Sequence, residues 1–363
     1  MGEAPQARID HAALRHNLKR ARQAADGRRV WAVIKADGYG HGMLRVAGCL
    51  NDADGFAVAR LEEALLLRRN GIDKPLLVLS ACITSPEFER AAEARLQVVL
   101  HHRQQLVELP DEAALPLTVW LKVDTGMHRL GFDPDEIADI AARLRKHPFI
   151  GRINLMTHLG NADDPADSLT QRQFDRFFRL DRTGFEASSI ANSAGLLGMQ
   201  SNLADWARPG IMLYGASPFI NTTAEQYDLR PVMTLSSRVI AVKRCRAGEA
   251  IGYGGSYVCP EEMPVAVIAI GYGDGYPRHA PSGTPVLVMG QRLPLVGRVS
   301  MDMISVDARK LPGVQVGDEA VLWGEGLPAE EVAQWAETIA YELFCGVTQR
   351  VAFVDCNRQD RED

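Results

Sequence analysis

The chain has 363 residues, 46% of them hydrophobic, and a formal net charge of -6, which suits a globular protein with one large domain and one smaller one. No run of Lys and Arg is long enough for a nucleic-acid face, and no apolar run approaches the roughly 18 residues that cross a bilayer, so neither nucleic acid nor membrane is expected as a partner. The six cysteines are scattered without a Cys-x-x-Cys pair. Zinc and disulfide frameworks are therefore not indicated, and free thiols behind a polar, signal-less N-terminus point to the cytoplasm.

Apolar, β-branched runs at 30–35, 55–59, 76–80, 97–100, 117–124, 153–158, 188–192 and 211–214 read as strands. Helix-like stretches lie between them, such as 61–70, closed by Gly71, and 136–146, ending before Pro148. Eight strands with helical connections are what a parallel (β/α)8 TIM barrel requires. A doubly wound open sheet would want a glycine-rich phosphate turn after its first strand, where this chain has a lysine. The pattern changes near Pro231. Shorter runs at 235–244, 265–270, 284–289, 303–306 and 319–322, separated by Gly/Pro/Asp turns, read as a mainly antiparallel β-domain with one helical stretch at 328–343. The expected domains are residues 1–230 and 231–363.

The first strand ends on Lys35, and a glycine-rich turn through Tyr39 and His41 follows at once. Such a lysine either merely leaves the core or does work there, and one task for a partly buried lysine is a Schiff base with an aldehyde cofactor. In a barrel of this kind chemistry sits at the C-terminal ends of the strands. Those ends also carry Lys122 with Arg129, His158, Ser193 and Arg208. Singly, Arg129 reads as a surface cation, His158 as a core histidine and Ser193 as a helix cap. Together they place a hydroxyl and the backbone around Gly210 and Ile211 where barrel phosphate sites favour the last two strands. In the β-domain, Ile251–Tyr257, Gly271–Arg278 and Gly297–Asp302 read as glycine-rich turns with aromatic packing, not as a nucleotide fingerprint.

Four segments in order resemble the alanine racemase family: the apolar strand with K-A-x-x-Y-G-H-G, K-x-D-T-G-M-x-R-x-G, A-N-S and R-P-G-I-x-L-Y-G. The resemblance runs from about Ala7 to about Val354. It implies an enzyme that interconverts L-alanine and D-alanine with pyridoxal 5'-phosphate carried on Lys35. It implies phosphate contacts from Tyr39, Ser193, Gly210 and Ile211, and Arg208 at the pyridine nitrogen. Arg129 would contact the cofactor's phenolic oxygen and the substrate carboxylate, which also meets the backbone of Met301. Lys122 matches a lysine carbamylated in some members, where the added charge can hold Arg129. Tyr253 matches the second catalytic base, and Tyr272 and Arg278 match positions at the entrance to the site. A free tyrosine is a poor base at neutral pH, so His158 backed by Arg208 is the expected relay. A homodimer is implied, with each site shared between chains. Ser189 and Gln349 stand where some members have histidine and tyrosine, and Gln349 is left without a role. The rival readings are a decarboxylase on the same architecture, a non-catalytic carrier of the cofactor and a cofactor-free Schiff-base barrel such as an aldolase. The first would want an acidic residue in place of Arg208, and the second would lack the residues after Pro231.

Overall fold

The computed structural model describes residues 5–80, 82–111, 115–199 and 203–357. It divides into two units: Arg15–Leu213 with Pro218–Asn221, and the residues up to Leu14 with Tyr214–Ser217 and Thr222 onward. The first strand, β1 (Gln6–Asp10), belongs to the second of these, not to the barrel as a boundary at residue 230 alone would have it. Its partners lie more than two hundred residues away in sequence, a pairing that no local pattern reveals.

The barrel closes through β2 (Arg29–Val33), β3 (Gly55–Val58), β4 (Leu76–Val78), β5 (Gln97–Leu100), β6 (Leu117–Lys122), β7 (Ile150–Met156), β8 (Ser188–Ser189) and β9 (Trp206–Ala207), which pairs back onto β2. All neighbours are parallel. Most strand residues are buried on both faces, which is why they read as continuous apolar runs rather than alternating ones. Trp31 stacks on Trp206 at 4.3 Å and meets Trp120 edge-on at 6.3 Å. The eighth strand differs from expectation. Residues 211–214 form a 3-10 turn closed by Leu213 N–H to the Gly210 carbonyl at 2.8 Å, and the strand is the short Trp206–Ala207 before it. Pro209 supplies no N–H to a ladder and Gly210 lets the chain bend, so the apolar run after them cannot extend the strand.

The other unit is a β-sheet built around the long strand β10 (Met233–Cys245). With it come β11 (Ala250–Ile251), β12 (Tyr257–Val258), β13 (Met263–Ile268), β14 (Pro285–Val288), β15 (Gln291–Pro294), β16 (Ile304–Asp307), β17 (Glu319–Trp323) and β18 (Ala352–Cys356). The order is β15-β14-β17-β10-β1-β18, with β13 joining β10 to β16 and β11–β12 as a separate hairpin. Among the described strands of this unit, β1–β18 is the parallel pair and the others are antiparallel. A register shift between Val239 and Ala241 marks where β10 passes from β1 and β17 to β13. The helical stretch is two helices, Ala329–Trp335 and Ala340–Gly346, because the chain turns left-handed at Glu337 (φ 52°) and Thr338 and Ile339 are β-branched. No helix among the described residues is long and apolar enough to cross a membrane.

Candidate active site

Beyond β2 the barrel ladder runs on for one residue, with Ile34 N–H bonded to the Ala57 carbonyl at 2.9 Å. The chain then turns left-handed for five residues: Ala36, Asp37, Gly38, Tyr39 and Gly40 have φ between 52° and 76°. For a residue with a Cβ this costs roughly 1–2 kcal/mol, so Ala36, Asp37 and Tyr39 hold real strain. The surroundings hold it in place. The Glu63 carboxylate accepts from Ala36 N–H at 2.9 Å and from Ala59 and Arg60 N–H at 2.8 and 2.9 Å. Asp37 accepts from Met43 N–H at 2.7 Å, and the Gly38, Gly40 and Gly42 N–H groups close onto Ile34, Ala36 and Asp37 carbonyls. His41 is fully buried, its Nδ1 bonded to the Tyr39 carbonyl at 2.8 Å. Burial, the largest influence, lowers its pKa to about 4. Its ring is therefore neutral and Nδ1 donates. The turn leaves Lys35 half-buried at the barrel mouth and sends Tyr39 inward.

Tyr39 reaches the ends of the last two strands. Its hydroxyl lies where a Cβ on Gly210 would come within 2.4 Å, so only glycine leaves this space open. Ser193 Oγ accepts from Gly210 N–H at 2.9 Å and Met212 N–H at 3.4 Å. The Ile211 N–H has no partner among the described residues, although Ile211 is buried. A tyrosine hydroxyl, a serine hydroxyl and converging N–H groups, one unsatisfied, form a cradle for an anion such as a phosphate.

Arg208 is buried beside this cradle. It donates to Ser189 Oγ, to the Thr157 carbonyl at 2.5 Å and to the Ile190 carbonyl at 3.3 Å; its Nη2 is 3.4 Å from His158 Nδ1. Among the described residues its Nε–H makes no hydrogen bond and no carboxylate pairs with it. Burial pushes its pKa down to about 10, so it remains a cation and a donor. His158 is depressed well below the ordinary histidine range by burial first, then by Arg208, Lys122, Arg129 and Lys35. These influences bring four cations to one mouth. Lys122, at the end of β6, is buried and pushed down to about 8 by desolvation, Arg208 and Arg129, only partly offset by Asp124. Arg129 is exposed on the following loop.

The β-rich unit gathers a second group. The Tyr253 turn runs between β11 and β12, with Gly252 and Gly254 lying along Arg298 and Gly297 against the Ile251 carbonyl. From Gly297 the chain leads to Met301, whose carbonyl accepts from Gly273 N–H at 2.8 Å, while Ser300 accepts from Tyr272 N–H at 3.1 Å. Tyr253, Met301 and Tyr272 thus share linked loops, exposed by 71%, 52% and 40%. The Met301 N–H is unpartnered among the described residues. Arg278 and Gln349 are both exposed, and among the described residues no hydrogen bond or ion pair ties Arg278 to this group.

Several supporting residues escaped the sequence reading. Glu63 is the third residue of the helix Leu61–Arg69 and accepts from Arg60 N–H, but Arg60 stands where a capping box would show Ser or Thr, so the sequence lacks that signature. Arg350 pairs with Asp302 at 2.6 Å and with buried Asp274 at 3.3 Å, tying the Tyr272 and Met301 loops together. Gln173 bonds the His158 carbonyl at 3.0 Å and Gly160 N–H at 2.8 Å. Neither of these last two carries a local signal.

A closed barrel that gathers a half-buried lysine, a buried arginine and an anion cradle at its strand ends defines a lysine-centred β/α-barrel enzyme. The chain belongs to the alanine racemase family. The model of the alanine racemase N-terminal domain matches residues 9–218 and that of the C-terminal domain residues 232–354. An alanine racemase of Nitrosococcus oceani is 52% identical over 350 residues, covering 96% of this chain and 98% of that one. One from Coxiella burnetii is 48% identical over 360 residues, covering 97% and 99%. The crystal structure of the biosynthetic alanine racemase from Pseudomonas aeruginosa superposes with a TM-score of 0.94 at 42% identity, covering 98% of this chain and all of that one.

Proposed function

We propose that this chain interconverts L-alanine and D-alanine with pyridoxal 5'-phosphate held at the barrel mouth. The observation that carries this reading is the left-handed turn, which sets Lys35 at the mouth and Tyr39 against the Gly210 cradle. Lys35 would hold the cofactor's aldehyde carbon. Tyr39, Ser193, Gly210 and Ile211 would hold its phosphate, and the spare Nε–H of Arg208 its ring nitrogen. When bound, the cofactor supplies a conjugated ring that shares the electron pair left as the α-proton departs.

The residues of the chain do the rest. Lys35 Nζ moves the proton on one face of Cα, the D-alanine side by family resemblance, and Tyr253 Oη moves it on the other. Arg129 and the Met301 N–H bind the substrate carboxylate. Arg208 can only donate, so the His158 Nδ1 beside it accepts and the ring proton sits on Nε2. That Nε2–H can donate to a tyrosine oxygen and ease the loss of its proton. Arg208 also argues against a decarboxylase, which would want an acid at the ring nitrogen. Lys122, with a pKa near 8, has enough neutral amine to take up carbon dioxide. The resulting carbamate would hold Arg129. A homodimer would complete each site, Tyr253 and Met301 coming from the partner subunit, and the free thiols suit a cytoplasmic enzyme.

Two measurements test the reading together. Purified protein should racemise alanine faster than other amino acids in a panel. Borohydride reduction followed by peptide mapping should label the peptide containing Lys35. A label on a different lysine would remove Lys35 from the mechanism, and failure to racemise alanine would remove the function.

A further inference from the structure

The end of β5 carries a histidine that the mechanism above does not use. The β5–β6 ladder advances residue for residue from Gln97 opposite Thr118 to Leu100 opposite Leu121, so the next pair is His101 beside Lys122. Side chains in register on parallel neighbours lie on the same side of the sheet. Gln105 fixes the backbone there: its amide oxygen accepts from His101 and His102 N–H at 2.8 and 3.1 Å, and its nitrogen donates to the Cys82 and Val99 carbonyls.

Both nitrogens of the His101 ring are buried, and among the described residues neither closes a hydrogen bond of good geometry, the backbone of Ser80 and of His101 itself lying only within electrostatic reach of the ring. Unsatisfied buried nitrogens are rare in native proteins and point to a missing partner. Lys122 is in the same position: it is 9% exposed and makes no hydrogen bond or ion pair among the described residues. The carboxylate that offsets part of its charge, Asp124, is already engaged by the Gly126 and His128 N–H groups and the His128 ring at 3.2 Å. A cavity of about 340 Å³ opens on the His101 side, lined by His101, Asp124, His128 and Arg129 among others. A buried cation whose carboxylate neighbour is engaged elsewhere and a buried imidazole without a well-formed hydrogen bond lie at neighbouring strand ends close to Arg129.

We propose that His101 is a positioning residue for the carbamate on Lys122, its ring N–H donating to the added carboxylate while Arg129 engages the same group. This rests on the carbamate reading given above. The Lys122 amine lone pair attacks the carbon of dissolved carbon dioxide and an N–C bond forms. One C=O electron pair moves onto oxygen, and an N–H proton passes to water. The net charge at Lys122 then goes from positive to negative, which suits the three neighbouring cations. His101, depressed by burial and by Lys122 itself, stays neutral and so keeps one donor and one acceptor. The donor would orient the carbamate, and through it Arg129.

The test is carbon-13 NMR of the whole enzyme equilibrated with labelled bicarbonate, with occupancy followed against bicarbonate concentration. Wild type should show a carbamate resonance that Lys122→Ala abolishes. His101→Leu and His101→Met, which lack a donor, should need about tenfold more bicarbonate for half-occupancy. His101→Gln, which keeps one, should return close to wild type, a rescue that a purely structural role would not give. Using two donor-less variants, each checked by circular dichroism, guards against a folding defect in either. Coincident occupancy curves for wild type and both donor-less variants would overturn the role of His101 while leaving the carbamate standing. No Lys122-dependent resonance in wild type at saturating bicarbonate would overturn the carbamate, and this proposal with it.

Discussion

Arg208 is 4% exposed, and its cation is balanced by carbonyls and a serine hydroxyl, not by a carboxylate. Burial brings its pKa to about 10, so at neutral pH it still donates and never offers a proton acceptor. A donor that keeps its proton leaves a ring nitrogen opposite it unprotonated and the ring a modest electron sink. Arg208→Glu should therefore lower racemisation, on the order of a hundredfold as for loss of a preorganised donor. It should also raise transamination relative to racemisation. Product analysis after long incubation with each enantiomer measures the partition; an unchanged ratio of the two reactions would count against this role. Of the residues proposed to carry chemistry, Lys35, Lys122, His158 and Arg208 were legible in the sequence because each follows an apolar run near a strand end. Glu63, Gln173, Arg350 and His101 were not, since their roles come from capping, from ion pairs across loops and from strand register.

The turn after β2 shows what an element adds. Its sequence announces flexibility, with three glycines in five positions from Gly38, yet the structure is a fixed left-handed turn closed by Glu63, Asp37 and His41. His41 makes its stability depend on pH. Its folded pKa of about 4 lies below the ordinary 6.5. Between those values the unfolded chain binds a proton that the folded chain refuses, so stability is full above about pH 6.5 and falls with acidification toward pH 4. The loss is about 3 kcal/mol when fully developed, at 1.36 kcal/mol per pKa unit. His41→Gln removes this titration. Its urea midpoint should lie below wild type at pH 7.5 and the gap should narrow by pH 4.5; a gap constant across that range would exclude His41 as the titrating group. Longer strands were readable to within a few residues, including 97–100 without change. The failures were short or non-local: the two-residue β9, masked by the more apolar run at 211–214, and β1, whose pairing depends on β10 and β18.

At the scale of the whole molecule, the two bases of the proposed mechanism fall in different units. Lys35 sits at the barrel mouth, and Tyr253 stands 71% exposed on the β-rich unit beside Met301 and Tyr272. Large side chains grouped on exposed, mutually bonded loops mark a surface that meets something. In the proposed homodimer that surface faces the barrel mouth of the partner subunit, and a two-fold axis makes two equivalent sites. Covering the mouth would also keep water from the carbanion. Lys35→Ala and Tyr253→Phe should each be inactive as homodimers, because every site lacks one base. In a mixed dimer one site carries both lesions and the other carries neither. Exchanging subunits between the two variants should therefore restore up to about half of the wild-type activity per mixed dimer. Tagging each variant differently allows the mixed species to be isolated and exchange verified. If isolated mixed dimers stay inactive, both bases come from the same chain and the shared-site arrangement is wrong.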